Sequence, residues 1–159
     1  MGTFTFIPTW VVQDIIVYLV AIITVVFIIR HEKHSASVIL ELICFVLLYA
    51  AVFENFATLM GWYGYGRSVL MIFNVPASVP VMEYLVVYSG LRLADAMEIP
   101  TWSKPIFVGV MGVLTDFSLD PLAVSQRFAT REGVIGRWTW YPGASDIQVH
   151  NIPVYNFTG

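Results

Sequence analysis

Pro105-Ile-Phe-Val-Gly-Val-Met-Gly-Val-Leu-Thr-Asp116-Phe-Ser-Leu-Asp120-Pro-Leu-Ala-Val124 is a 20-residue run, apolar except for two hydroxyls and two carboxylates. About 20 apolar residues in a helix cross the hydrocarbon core of a bilayer. A carboxylate inserted there costs roughly 2.5–3.5 kcal/mol, so intramembrane acids turn toward a bundle interior and carry function. At i and i+4, Asp116 and Asp120 fall on one helix face. Two acids close together in a dry place cannot both ionise cheaply. The run therefore predicts a membrane helix that presents a proton donor beside a base.

The rest of the chain agrees with a membrane setting. It has 159 residues, of which 58% are hydrophobic and 12% charged. Soluble domains carry about 25% charged residues, so the composition predicts an integral membrane protein, read as one domain over 1–159. The formal net charge of −3 argues against nucleic acid, which needs a basic face. The lone Cys44 permits no intrachain disulfide and is expected as a small buried apolar side chain. The opening residues lack a basic region before the first apolar run, so no cleavable signal peptide is expected.

Four runs are long enough to span: 8–29, 36–53, 69–90 and 105–124. They predict an all-α polytopic bundle of about four transmembrane helices. The third contains Pro76 and Pro80, each lacking a backbone donor. It is read either as a broken helix lining a cavity, with Asn74 and Ser78 serving freed carbonyls, or as a kinked packing helix. Trp10, Trp62, Trp102 and Trp138 fall near span ends, where indoles favour the interface. Residues 125–159 carry three arginines, two prolines and several aromatics, and read as an interfacial segment over one end of the bundle. The chain stops without a polar terminus, which leads us to expect further helices or a partner chain to complete it. Arg30, Lys33, Arg92 and Lys104 oppose Arg67, Arg127, Arg131 and Arg137, so charge leaves orientation nearly balanced. The position of Arg30 and Lys33 directly after the first span favours an outside N-terminus.

Six acids lie in or beside spans: Asp14, Glu41, Glu54, Glu83, Asp116 and Asp120. Asp14 is close enough to a span end to reach headgroups and is read as a solvated anchor. Glu41 is read either as snorkelling to the interface or as part of a site. For the other four a shared site outweighs a packing network of interhelical hydrogen bonds. No metal site of Cys and His type is expected: His31 and His34 read as a solvated loop pair, and His150 stands alone. Gly61-Trp-Tyr-Gly-Tyr-Gly lacks the Lys-Ser/Thr of a phosphate loop.

Four stretches carry a resemblance to a known family: Glu54-Asn-Phe-Ala-Thr-Leu-Met-Gly-Trp-Tyr-Gly-Tyr65, Asn74-Val-Pro-Ala-Ser-Val-Pro80, Thr115-Asp-Phe-Ser-Leu-Asp-Pro-Leu-Ala123, and Gly136-Arg-Trp-Thr-Trp140 followed by Asn151-Ile-Pro-Val-Tyr-Asn-Phe-Thr-Gly159. In this order they resemble the carotenoid biosynthesis membrane-protein family, which includes carotenoid 1,2-hydratases and bisanhydrobacterioruberin hydratase. Glu83 departs from that pattern, standing where an aromatic is expected. The resemblance implies addition of water to a terminal C=C of a carotenoid end group, in the cell membrane of a prokaryote, with lipid and a polyene as partners.

The residues suit that chemistry on their own terms. Hydration of a trisubstituted alkene needs a proton on carbon and gives a tertiary cation. An exposed Asp is protonated in only about one molecule in a thousand at pH 7; a buried one supplies the acid. A second carboxylate deprotonates water, and no cofactor or metal is required. Asp116 or Asp120 is the expected donor and the other the base, with Glu54 in support and Glu83 next in line. The rings of Tyr63, Tyr65 and Trp62 are expected to face the cation, each worth roughly 0.5–2 kcal/mol. Asn74, Trp138 and Asn156 complete the expected substrate-binding set. Two other readings compete. One is a prenyltransferase with Mg²⁺ held by the Asp-x-x-x-Asp pair. The other is a non-enzymatic proton-coupled carrier or assembly subunit.

Overall fold

The computed structural model describes residues 8–125, 127–130, 133–143, 146–149 and 152–154. Helix α1 runs Pro8–His31 and ends in the short polar turn at 32–34. Helix α2, Ser35–Cys44, returns and continues without interruption into a π-helical segment, Phe45–Glu54, and the short α3, Asn55–Leu59. Helix α4 is Ser78–Ala96, and α5 is Lys104–Ser125 after one 3₁₀ turn at Thr101–Ser103. Three stretches, Thr9–His31, Ser35–Leu59 and Thr101–Ser125, are long and apolar enough to cross a membrane. Ile23, Leu48, Phe53 and Ile106 on these stretches are exposed. Such a surface is costly in water and suited to lipid. Cys44 also lies exposed on this outer surface rather than buried as expected.

The third expected span begins later than its hydropathy suggests. Residues 69–77 are not helical. Strands β2 (Met71–Ile72) and β3 (Val75–Pro76) pair antiparallel across a two-residue turn. Phe73 in that turn has φ 55°, the left-handed region that two-residue hairpin turns require. Asn55 fastens the hairpin: its Nδ2 donates to the Ile72 carbonyl at 3.1 Å, and its Oδ1 accepts the Asn74 N–H at 2.9 Å. Pro76 is therefore a strand residue. Pro80 sits in the first turn of α4, where backbone N–H groups have no intrahelical acceptor and proline is tolerated. The interruption is a hairpin placed before the helix, not a break inside it.

Short strands build the cap at this end of the bundle. β1, Tyr63–Tyr65, pairs antiparallel with β6, Trp138–Trp140, setting Tyr63 opposite Trp140 and Tyr65 opposite Trp138. β4 (Arg127–Thr130) pairs with β5 (Gly133–Gly136), and β7 (Gln148–Val149) with β8 (Ile152–Pro153). The cap holds one buried core, formed by Ala57, Tyr63, Val124, Trp140 and Ile152, with Tyr65 and Trp138 against it. A second core, around Ile28, Tyr84 and Tyr88, joins α1, α2 and α4 lower down. At the far end Arg92 pairs with Glu32 at 3.0 Å, and Lys104 with Asp95. These pairs are partly exposed and contribute about 0–1 kcal/mol each.

Asp14 is not a solvated anchor. It is 1% exposed. Its Oδ1 accepts from Arg137 Nη2 at 2.7 Å and from Ser78 Oγ at 2.6 Å, and its Oδ2 accepts from Ser68 Oγ. One carboxylate thus ties α1 to the loop before the hairpin, to the start of α4 and to the residue before β6. Trp10 is likewise inside the cap, 2% exposed, rather than in an interfacial belt, whereas Trp62 and Trp102 are exposed as a belt requires. Glu41 is exposed on α2.

Gly66 lies where this cap is tightest. A Cβ there would stand 2.3 Å from the Trp10 ring and 2.7 Å from the Gly136 carbonyl. Gly66→Ala is expected to cost about 1–3 kcal/mol through overpacking. Melting in detergent measures it, and an unchanged melting temperature would contradict this packing.

Candidate active site

The π-helical segment leads directly to Glu54. Its i→i+5 bonding turns the chain less per residue than an α-helix, so Tyr49 and Glu54, five apart, come near one another. Tyr49 has Glu54, Glu83 and Asp116 as charged neighbours. Its ring stacks on Phe45 at 4.9 Å, which fixes its direction. Sequence reading missed Tyr49, because no residue pattern distinguishes a π turn from an α turn.

Glu54 is 8% exposed. Two phenols donate to the same oxygen, Oε2: Tyr63 at 2.9 Å and Tyr65 at 2.7 Å. Their alternation in β1 explains this. Residues two apart on a strand share a face, and Gly64 between them points to the other side, toward Tyr141. On the Tyr63–Tyr65 face the β1–β6 pairing stacks the indoles. Tyr63 meets Trp140 edge-on with centroids 4.7 Å apart, and Tyr65 and Trp138 lie 5.5 Å apart with their planes 29° from parallel.

The other acids arrive from α4 and α5. Helix α4 packs between α5 and the π-helical segment, so Glu83 on α4 sits centrally. The carboxylates of Glu54, Asp116 and Asp120 all lie close enough to repel its charge, and Glu54 repels Asp116 likewise. Glu83 Oε2 is buried and has no hydrogen-bond partner among the described residues. Asp120, at the level of the cap, is 3% exposed. Asp116, one turn further from the cap, is exposed, so the group of acids opens on that side. Pro121 in α5 supplies no N–H to the Phe117 carbonyl, so the turn from Phe117 to Pro121, which carries Asp120, forms without that intrahelical bond.

All four expected acids thus converge, together with Tyr63, Tyr65 and Trp138. Trp140 joins them unforeseen. Trp62 lies apart, about half-exposed, with its ring edge-on to Phe56 at 6.1 Å. Asn74 is exposed, and its described contact is the backbone bond to Asn55. Asn156 lies outside the described residues. Among the described residues no three His, Cys, Asp or Glu side chains are close enough to form a metal-ligand set. A separate apolar groove of about 380 Å³, lined by Ile16, Val20, Leu85, Leu93 and Met111 among others, runs between α1, α4 and α5 and contains none of the four acids.

Tyr63 and Tyr65 lie outside the spanning stretches. Burial first, then the charge of Glu54, pushes both phenols above the usual 10.0, Tyr65 well above it. The unfolded chain releases these protons near pH 10 while the folded chain keeps them. Stability is therefore full below about pH 10 and falls as pH rises beyond it. Melting curves from pH 8 to 11 should steepen less in the Tyr63→Phe/Tyr65→Phe double variant than in wild type; equal slopes would contradict this burial.

A family model described as carotenoid biosynthesis protein matches residues 14–159. The chain belongs to the carotenoid biosynthesis protein family. No curated protein and no solved structure matches it. The match takes in all four acids, the β1–β6 aromatic cap and Asp14. Carotenoid biosynthesis by a helical membrane protein is therefore the setting of this chain.

Proposed function

We propose that this member of the family is a carotenoid hydratase of a prokaryotic cell membrane, adding water to a terminal C=C of a polyene. The observation that carries the reading is the convergence of Glu54, Glu83, Asp116 and Asp120, from three elements, beside a wall of tyrosine and tryptophan rings. The opening at Asp116 suits a substrate that arrives from lipid with its end group first.

The α5 pair, Asp116 and Asp120, supplies the proton, with Glu83 as their neighbour. The proton adds to the less substituted carbon of the terminal double bond, and the π electrons form the new C–H bond. The adjacent carbon becomes a tertiary cation. Water attacks that carbon, and a second carboxylate takes the proton that water sheds. The protonated acceptor and the deprotonated donor then exchange a proton to reset the site, so the sum is alkene plus water to tertiary alcohol. The ring faces stabilise the cation by roughly 0.5–2 kcal/mol each, and proton transfer by placed carboxyls contributes typically 10²–10⁴-fold.

Pigment extraction from a lycopene-producing host expressing the chain tests this reading. Hydroxylated carotenoid absent from the empty-vector control is expected. Unchanged pigment, with the protein present in the membrane, would count against hydration.

A further inference from the structure

Resting on the hydratase reading, we propose that Glu54 is the base that deprotonates water, and that Tyr63 and Tyr65 are positioning residues that aim it. One oxygen of Glu54 is fully engaged. Both phenols donate into Oε2, at 2.9 and 2.7 Å. A carboxylate oxygen carries two lone-pair sites in the carboxyl plane, so Oε2 is occupied. No described donor reaches Oε1, which is left to accept from water.

The two O–H groups also fix the carboxyl plane, since each comes from a strand residue held in place. Tyr63 is buried and clasped by Trp138 and Trp140, and Tyr65 stacks on Trp138. The phenols stay donors at every working pH, because burial and Glu54 hold their protons on. The same rings flank the position where the cation forms, so the water aimed by Oε1 and the carbon it attacks share one wall. Glu54 has a fixed backbone as well: Asn55, the next residue, is bonded to both sides of the hairpin turn.

This division of labour separates Glu54 from the proton-donating acids. The roles are read by running the reaction in D₂O and measuring both hydroxylated product and deuterium in recovered carotenoid. Glu54→Gln keeps a carbonyl oxygen for the two phenols but cannot take a proton. It is expected to lower hydration at least ~100-fold while recovered carotenoid still gains carbon-bound deuterium, because protonation and its reversal persist. Tyr63→Phe and Tyr65→Phe are each expected to lower kcat ~3–10-fold, with KM little changed. Each should cause no further loss in the Glu54→Gln background, since a positioning residue has nothing left to position. Glu54→Asp should retain partial hydration, and Glu54→Ala replaces Glu54→Gln in these crosses if the latter fails to reach the membrane.

Hydration within ~3-fold of wild type in Glu54→Gln would overturn the assignment. So would loss of deuterium uptake together with hydration, which would make Glu54 the donor. Tyrosine effects that add to that of Glu54→Gln would reduce the phenols to packing. A wild-type protein that yields neither alcohol nor deuterated carotenoid would instead overturn the hydratase reading itself.

Discussion

Asp116→Asn and Asp120→Asn are each expected to remove hydroxylated carotenoid from a lycopene-producing host while the protein still accumulates in the membrane. Asparagine keeps the shape of aspartate and removes its proton chemistry. Both residues neighbour Glu83, so either change alters the proton supply of the whole group. Loss of general acid catalysis corresponds to about 10²–10⁴ in rate, enough to drop product below detection in pigment extracts. The two variants should also differ. The one lacking the direct donor gives no deuterium in recovered carotenoid from D₂O, and the one lacking the neighbour that relays protons to it retains slow exchange. Wild-type yields of hydroxycarotenoid in both would move the proton delivery to Glu83. Activity lost with EDTA and restored by Mg²⁺ would favour prenyl transfer instead.

The second large effect is on stability. Asp14→Ala leaves the Arg137 guanidinium, 14% exposed, and two serine hydroxyls without their shared acceptor. Breaking a buried pair by removing one partner costs about 3–5 kcal/mol. For a chain of this size that lowers the melting temperature by on the order of 10 °C. Melting of the detergent-solubilised protein measures it. The Asp14→Leu/Arg137→Leu double variant should recover much of the loss, because no charge is then stranded. A melting temperature for Asp14→Ala within 2 °C of wild type, by order of magnitude less than one such interaction, would contradict a stabilising role.

The helical membrane fold was legible in the chain because a 20-residue apolar run states its own destination. The aspartates were legible for the same reason, since a charge inside such a run stands out locally. Asp14 misled because its meaning is not local. Its partner Arg137 lies 123 residues away, and neither neighbourhood announces the other. The run at 69–77 misled differently. A short apolar stretch reads equally as strand or buried helix, and Pro76 and Pro80 suggest a broken or kinked helix, whereas one is a strand residue and the other lies in the first turn of α4. The likeness of 54–65 and 136–140 to family stretches pointed to their aromatics, but not to the β1–β6 register that sets Tyr63 on Trp140. That register also decides which aromatics belong to the site. Trp62 lies one residue before β1 and falls outside, while Trp140 falls within. The π turn that presents Tyr49 beside Glu54 has no residue signature at all.

The origin of the hydroxyl oxygen tests the central claim most directly. Membranes containing the protein are incubated with an acyclic carotenoid in H₂¹⁸O under air, and the product is examined by mass spectrometry. Acid-catalysed hydration at the carboxylate cluster predicts one ¹⁸O in each new tertiary hydroxyl, with the same yield when oxygen is excluded. A product whose hydroxyl carries unlabelled oxygen, or one that forms only in air, would contradict it.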